Sequence, residues 1–275
     1  MNIIINDIKS KKILEIYTNQ RIIKDNNRDN INFIKDKLKD ILNEYELIWC
    51  GSTCKNTDIN TSDLDLLVIK KHDIYRGEVV KYINKNKIIY TDDKPKKLCE
   101  NILVSFINID NIEIENKNEY ILLKYNNINI EILPAKKFIN SDKIFIIPKT
   151  VNNWKIGFSR NDKSKIDNMN RKINDGYFKK IIKIFKTIKD NNNKKFPSFF
   201  IEYMIYHYFR KKIKNNINNI ELYDICNEII NFIKNAIDNN KKYYHLSNYK
   251  INILNCINKR QIKYINIYKQ WIINI

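Results

Sequence analysis

Two aspartates separated by one apolar residue constrain this chain more than any other feature. Residues 51–68 read Gly-Ser-Thr-Cys-Lys-Asn-Thr-Asp-Ile-Asn-Thr-Ser-Asp-Leu-Asp-Leu-Leu-Val. An apolar run (Leu47, Ile48, Trp49, Cys50) precedes the Gly-Ser pair, and Leu66, Leu67 and Val68 follow the second aspartate. Alternate residues of a strand share a face, so Asp63 and Asp65 are expected on one face, with Leu64 and Leu66 on the other. Two carboxylates held together at a strand edge repel unless a hard divalent cation lies between them. The Gly-Ser turn adds a second requirement. Glycine lets an anion approach the backbone, and the amides opening the next helix can hold it.

That order of residues resembles the nucleotidyltransferase superfamily typified by DNA polymerase beta. There, Gly-Ser, a linker of about ten residues and an Asp-apolar-Asp pair bind metal and a nucleoside triphosphate. A third carboxylate lies at Glu131, in the alternating strand Ile-Asn-Ile-Glu-Ile-Leu-Pro-Ala of residues 128–135. It follows Asp63 by 131 − 63 = 68 residues, room for a helix and two or three strands before it returns beside the aspartates. Three carboxylates can hold two metal ions roughly 3.5–4 Å apart. The superfamily usually has Asp at this third position, so Glu131 departs from it by one methylene.

Composition narrows the partners. The chain has 275 residues, with 50 Lys and Arg against 31 Asp and Glu, a formal charge of +19. Asn, Ile and Lys dominate throughout, the mark of an AT-rich genome, and part of the charge has that origin. A polyanionic partner still follows from the excess, through release of counterions from phosphates. Nucleoside triphosphates satisfy part of it. RNA or DNA is a candidate for the rest, although the lysines are scattered and nucleic acid is not expected to be required. Five cysteines (Cys50, Cys54, Cys99, Cys226, Cys256) lack paired spacing, which argues against a disulfide framework or structural zinc and for reduced thiols in the cytoplasm. His72, His207 and His245 are far apart in sequence and read as structural. No signal peptide and no membrane span is evident. Oligomeric state is not legible.

Periodicity gives the layout. Helices are expected at Ile8–Ile23 and Ile31–Leu42, then a strand, turn and helix around Gly51, a strand to about Ile69 and a helix at Tyr75–Ile83. Strands are expected at Ile88–Tyr90, Ile102–Ile107, Tyr120–Lys124 and Ile128–Leu133. Further helices are expected at Lys163–Lys172, Gly176–Lys189, Ser198–Ile213, Ile220–Ile237 and Asn248–Ile273. The fold class is therefore α+β: a nucleotidyltransferase lobe over 1–158, with the N-terminal helices as a spine, and a helical lobe over 159–275. The active site is expected in the cleft between the lobes.

The second half carries a narrower resemblance. It shows Ile147-Pro148, Trp154, Asn170, the helical run Tyr177–Lys189, and then Pro197-Ser198-Phe199-Phe200-Ile201-Glu202. Over roughly residues 45–205 this order is similar to the cGAS/DncV-like nucleotidyltransferases, the cyclic-oligonucleotide synthases of antiphage defence, which are related to oligoadenylate synthase. Ser159 departs from it where proline is common. The resemblance implies that Gly51 and Ser52 hold the triphosphate and that Asp63, Asp65 and Glu131 bind two magnesium ions, manganese being an alternative. It further implies that Lys186 and Ser198 contact the triphosphate and that Phe199 stacks on a base. Each of these last three also has a plainer reading: a solvated lysine, a helix N-cap after Pro197, and a core aromatic.

The expected function is magnesium-dependent joining of nucleoside triphosphates into a cyclic or short linear second messenger, with release of pyrophosphate. Two alternatives stay open. One is an RNA-terminal nucleotidyltransferase of the poly(A) or CCA-adding type. The other is an inactive module that keeps the fold to bind nucleotides or RNA.

Overall fold

The computed structural model describes residues 1–26, 28–59, 62–71, 74–75, 93–106, 112–138, 141–157, 159–192, 197–213, 219–244, 246, 252–258, 261–262, 268 and 270–271. The expected strand at Ile88–Tyr90, most of the expected helix at Tyr75–Ile83, His72 and His245 lie outside them. Of the expected helix at Asn248–Ile273, only short stretches are described, including a 3-10 turn at Ile253–Cys256. The chain divides into two compact units, one formed by Asn26–Asn56 and Ser62–Lys163, the other by Met1–Asp25, Thr57–Thr61 and Ser164–Ile275.

The first unit is rich in strands. Its main sheet contains β2 (Tyr45–Trp49), β3 (Leu64–Lys70), β5 (Glu113–Asn116), β6 (Ile121–Tyr125) and β7 (Ile128–Pro134), in the order β2-β3-β7-β6-β5. Within this sheet, among the described residues, only the β3–β7 pairing is parallel. One face packs Leu64, Leu66, Val68, Ile130 and Ile132 against Ile34 and Leu38 of helix α2 (Arg28–Ile41) and Cys99 and Ile102 of helix α4 (Pro95–Val104). Ile34 and Leu38 lie one turn apart and form the buried stripe of α2. Asp29 in the first turn of α2 and Lys39 in the last suit the helix dipole. A second sheet joins β4 (Ile74–Tyr75), β8 (Lys136–Phe138), β9 (Ser141–Thr150) and β10 (Asn153–Gly157) in the order β10-β9-β8-β4.

The expected strand at Ile102–Ile107 is a correction. Ile102, Leu103 and Val104 end α4, and the chain turns at Ser105 and Phe106. Pro95 occupies the first helical turn, where its missing N–H costs nothing. Cys99, Ile102 and Phe106 are buried at helical spacing, which outweighs the β-preference of a short apolar run.

Short devices set the register of the main sheet. Asn126 and Asn127 both take positive φ (45° and 64°) and close a two-residue turn between β6 and β7. Positive φ at both turn positions matches the right-handed twist of the strands it joins. The motif residue Trp154 is buried and donates its indole N–H to the Asp93 carbonyl at 2.9 Å, tying β10 to the segment before α4.

The second unit is helical. It contains α1 (Ile8–Asn26, through Asp25), most of α5 (Ser159–Arg171), α6 (Tyr177–Asn191), α7 (Ser198–Ile213) and α8 (Leu222–Asp238) around one apolar core. A parallel pair of two-residue strands, β1 (Ile3–Ile4) and β11 (Ile220–Glu221), fastens the N-terminus. The Asn174 side chain reinforces it, accepting from Ile3 N–H at 2.7 Å and donating to Ile3 C=O at 3.2 Å. The motif residue Asn170 accepts from the Lys179 amide at 3.1 Å, satisfying a donor in the first turn of α6.

Candidate active site

The site grows from the parallel pair β3–β7. Their register sets Asp65 opposite Glu131, with Leu67 opposite Leu133 two residues on. Because side chains alternate across a strand, Asp65, Glu131, Leu67 and Leu133 share one face, while Leu64, Leu66, Ile130 and Ile132 fill the core on the other. Neighbouring backbones in a sheet lie roughly 4.8 Å apart, so the two carboxyls are close neighbours with like charge. Both are half-buried. Burial, with Asp65 next and then Asp63, pushes the Glu131 carboxyl up to about 7 from its ordinary 4.5. Asp63 is exposed and lies one residue before β3 begins.

Next to this pair is the Gly-Ser turn. The Cys50 amide donates to the Asp65 carbonyl at 2.9 Å, and helix α3 (Gly51–Lys55) starts immediately afterwards. Gly51 takes φ +61°, and a Cβ there would stand 1.7 Å from Asp65 Oδ2. Only glycine fits, because the backbone lies directly against the carboxylate. Ser52 follows in the opening turn of α3, half-buried. Burial, and then the Asp65 charge, hold the Cys50 thiol well above its ordinary range, so it is an inert wall of the site. A cavity of about 240 Å³ opens here, lined among others by Gly51, Lys55, Asp65, Leu133, Phe145 and Asp162.

All the donors brought together are hard oxygens, the set that magnesium prefers. Among the described residues no three acidic, thiol or imidazole groups are gathered tightly enough to hold a metal ion. Asp65 and Glu131 are the paired nucleus, and Asp63 would have to turn inward to join them. The donor chemistry thus fits magnesium, with two carboxyls on adjacent strands.

The remaining expected residues lie in the helical unit. Lys186, in α6, is 2% exposed, and its ammonium pairs with Glu202 at 2.6 Å. Ser198 opens α7 after Pro197 and accepts from the Lys189 ammonium at 2.9 Å. Phe199 is 37% exposed, its ring 5.8 Å from that of Tyr203.

Solved structures with this architecture include the following three. The CD-NTase CdnG of Bradyrhizobium diazoefficiens, solved in complex with GTP, superposes with a TM-score of 0.68 at 11% identity, over 97% of this chain and 90% of that one. The STING-associated CdnE c-di-GMP synthase of Capnocytophaga granulosa gives 0.63 at 18% identity, over 96% and 84%. The CdnE cyclic dinucleotide synthase of Elizabethkingia meningoseptica, solved with GTP and Apcpp, gives 0.60 at 16% identity, over 89% and 91%. This chain has their fold. No protein-family model matches the sequence, and no curated protein matches it.

The fold explains why Asp65 and Glu131 meet, and it exposes two residues to which sequence reasoning gave no role. Thr57 and Glu202 are both buried polar groups bonded to Lys186. Glu202 closes the run Pro197–Glu202 that carries part of the resemblance. Thr57 carried no signal beyond its place between Gly51 and Asp63. Among the described residues, no helix is long and apolar enough to cross a membrane.

Proposed function

We propose that this protein is a nucleotidyltransferase that joins nucleoside triphosphates into a cyclic or short linear oligonucleotide and releases pyrophosphate. The observation that carries the reading is the Asp65–Glu131 pair on adjacent parallel strands, with Gly51 held against Asp65 at positive φ. A turn that admits only glycine, immediately beside paired carboxylates, leaves backbone open to a phosphate next to a cation-binding edge.

Asp65, Glu131 and an inward-turned Asp63 would hold magnesium. When bound, the metal supplies charge stabilisation at the transferring phosphoryl group and lowers the pKa of the attacking hydroxyl. The rest falls to the chain. Gly51 and Ser52 would seat the triphosphate on the amides opening α3. In the metal-free protein, burial and the neighbouring Asp65 and Asp63 charges raise the Glu131 carboxyl, and a magnesium ion would offset that repulsion and hold Glu131 as a carboxylate beside the attacking hydroxyl. From the resemblance, Ser198 would contact the triphosphate and Phe199 would stack on a base, and the partial exposure of Phe199 is compatible with that role. Lys186 shares the resemblance, with the difference that its ammonium is already engaged inside the protein. The product would serve as a second messenger of the antiphage type.

Purified protein incubated with labelled ATP, GTP, CTP and UTP plus magnesium tests this directly. Small phosphatase-resistant products with stoichiometric pyrophosphate support it. Extension of an added RNA would indicate a terminal transferase, and absence of turnover with every mixture an inactive module.

A further inference from the structure

Lys186 sits mid-helix in α6 with its ammonium enclosed by three oxygens. It donates to Glu202 Oε1 at 2.6 Å, to the Thr57 carbonyl at 3.0 Å and to Thr57 Oγ1 at 3.4 Å. Thr57 Oγ1 in turn donates to the same Glu202 oxygen at 2.6 Å. Thr57 is 0% exposed, Glu202 1% and Lys186 2%. A lysine has three N–H donors, and these three acceptors match them. Charge buried at this depth is tolerated only when paired and fully bonded. To bind a triphosphate instead, the ammonium would have to abandon an inward network and leave Glu202 buried without its cation.

The placement of Thr57 gives the network a purpose. It lies midway between Gly51 and Asp63, six residues from each (57 − 51 = 63 − 57 = 6). Asn56, in left-handed conformation, ends α3 and redirects the chain. Thr57–Thr61 then belong to the helical unit, although the residues on both sides belong to the strand-rich unit. Thr57, Asp58 and Ile59 are all buried, unusual for a connecting loop. A buried backbone carbonyl needs a donor, and Lys186 supplies it.

We infer that Lys186 and Glu202 are positioning residues: they clamp Thr57 and so fix the loop that joins the glycine turn to Asp63, and they do not contact the triphosphate. The catalytic consequence rests on the nucleotidyltransferase reading above; the clamp itself does not.

The test uses three variants of the full chain: Lys186→Met, Glu202→Gln and Thr57→Val. Each is examined below its melting temperature by hydrogen exchange, by equilibrium binding of ATP and GTP, and by pyrophosphate release. A clamp predicts that exchange of the Thr57–Ile59 amides rises at least about 10-fold in all three while the core of α8 keeps its protection. It predicts kcat down by about 100-fold, the cost of a misplacement near 1 Å, with KM and triphosphate affinity within about 3-fold of wild type. The double variant Lys186→Met/Glu202→Gln is then no worse than the weaker single, because both break one unit. A different pattern overturns the inference: only Lys186→Met weakens triphosphate binding, by about 10-fold or more, while loop exchange is unchanged in all three. A fall in kcat that merely follows the unfolded fraction overturns it too. Should Lys186→Met fail to fold, Thr57→Val carries the same comparison, since it removes one hydroxyl and keeps the shape. If wild type turns over no triphosphate, the functional reading fails while the exchange measurement still decides whether the clamp exists.

Discussion

Replacing Gly51 by alanine tests the geometry on which the functional reading stands. The new Cβ would begin 1.7 Å from Asp65 Oδ2. Real Cβ contacts stay above 3.0 Å, so the carboxylate must retreat by at least 3.0 − 1.7 = 1.3 Å. Two costs add. Holding a non-glycine residue at positive φ costs about 1–2 kcal/mol. Driving Asp65 off its rotamer costs about another 0.5–1.5 kcal/mol. The melting temperature should therefore fall by roughly 3–14 °C, at roughly 2–4 °C per kcal/mol. Turnover should fall further than stability, by about 100-fold, because a carboxylate proposed to hold the metal has moved by more than 1 Å. A double-mutant cycle with Asp65→Ala separates the two costs. In that background the carboxylate is gone and only the backbone cost remains, so the two substitutions should couple by about 0.5–1.5 kcal/mol. Thermal melts of the four proteins and pyrophosphate release by wild type and Gly51→Ala suffice. Additivity within about 0.5 kcal/mol would refute the contact, and wild-type turnover by Gly51→Ala would refute the proposed role of the turn.

Three further outcomes are expected. Asp63→Ala and Asp65→Ala should each abolish pyrophosphate release without lowering the melting temperature, since removing a like charge relieves Glu131; an active double variant with normal melting would remove both from the metal site. Glu131 takes up its proton at about 7 in the folded protein but at about 4.5 when unfolded, so the folded state binds more protons between those values and stability falls as pH rises through 7; Glu131→Gln should flatten that slope in denaturant titrations and be severely impaired, Glu131→Asp should stay active, and an unchanged slope would show that Glu131 does not titrate there. Turnover should proceed without nucleic acid and decline only weakly between about 50 and 300 mM salt, because few phosphates are held; a strict requirement for double-stranded RNA or DNA would show that the charge of +19 serves a polymer.

Much of this was legible in the chain, and the boundary of legibility has a physical cause. The glycine turn and the alternation around Asp65 follow from local pattern, whereas the return of Glu131 beside Asp65 was expected from the order of motifs that the chain shares with the nucleotidyltransferases. Local pattern also gives α7, whose expected bounds, Ser198–Ile213, are those observed. Where an apolar run is short, local pattern misleads: the stretch from Ile102 reads equally as strand or helix until Pro95 and the Cys99–Ile102–Phe106 spacing decide it. Long-range partnerships have no local signal at all. Nothing in Ile3 announces Ile220 as its partner, and nothing in Thr57 announces Lys186.

The strand-rich and helical units are stitched together by the order of the chain itself. The polypeptide passes from one to the other after Asp25, Asn56, Thr61 and Lys163. No single cut therefore releases either unit whole. A truncation or one recombination event at an internal crossing would divide the helical core or deprive the strand-rich unit of the segment joining its glycine turn to its aspartates. Change in this protein should therefore come by drift at individual positions and by insertions at loop tips, with lobes neither gained nor exchanged as modules.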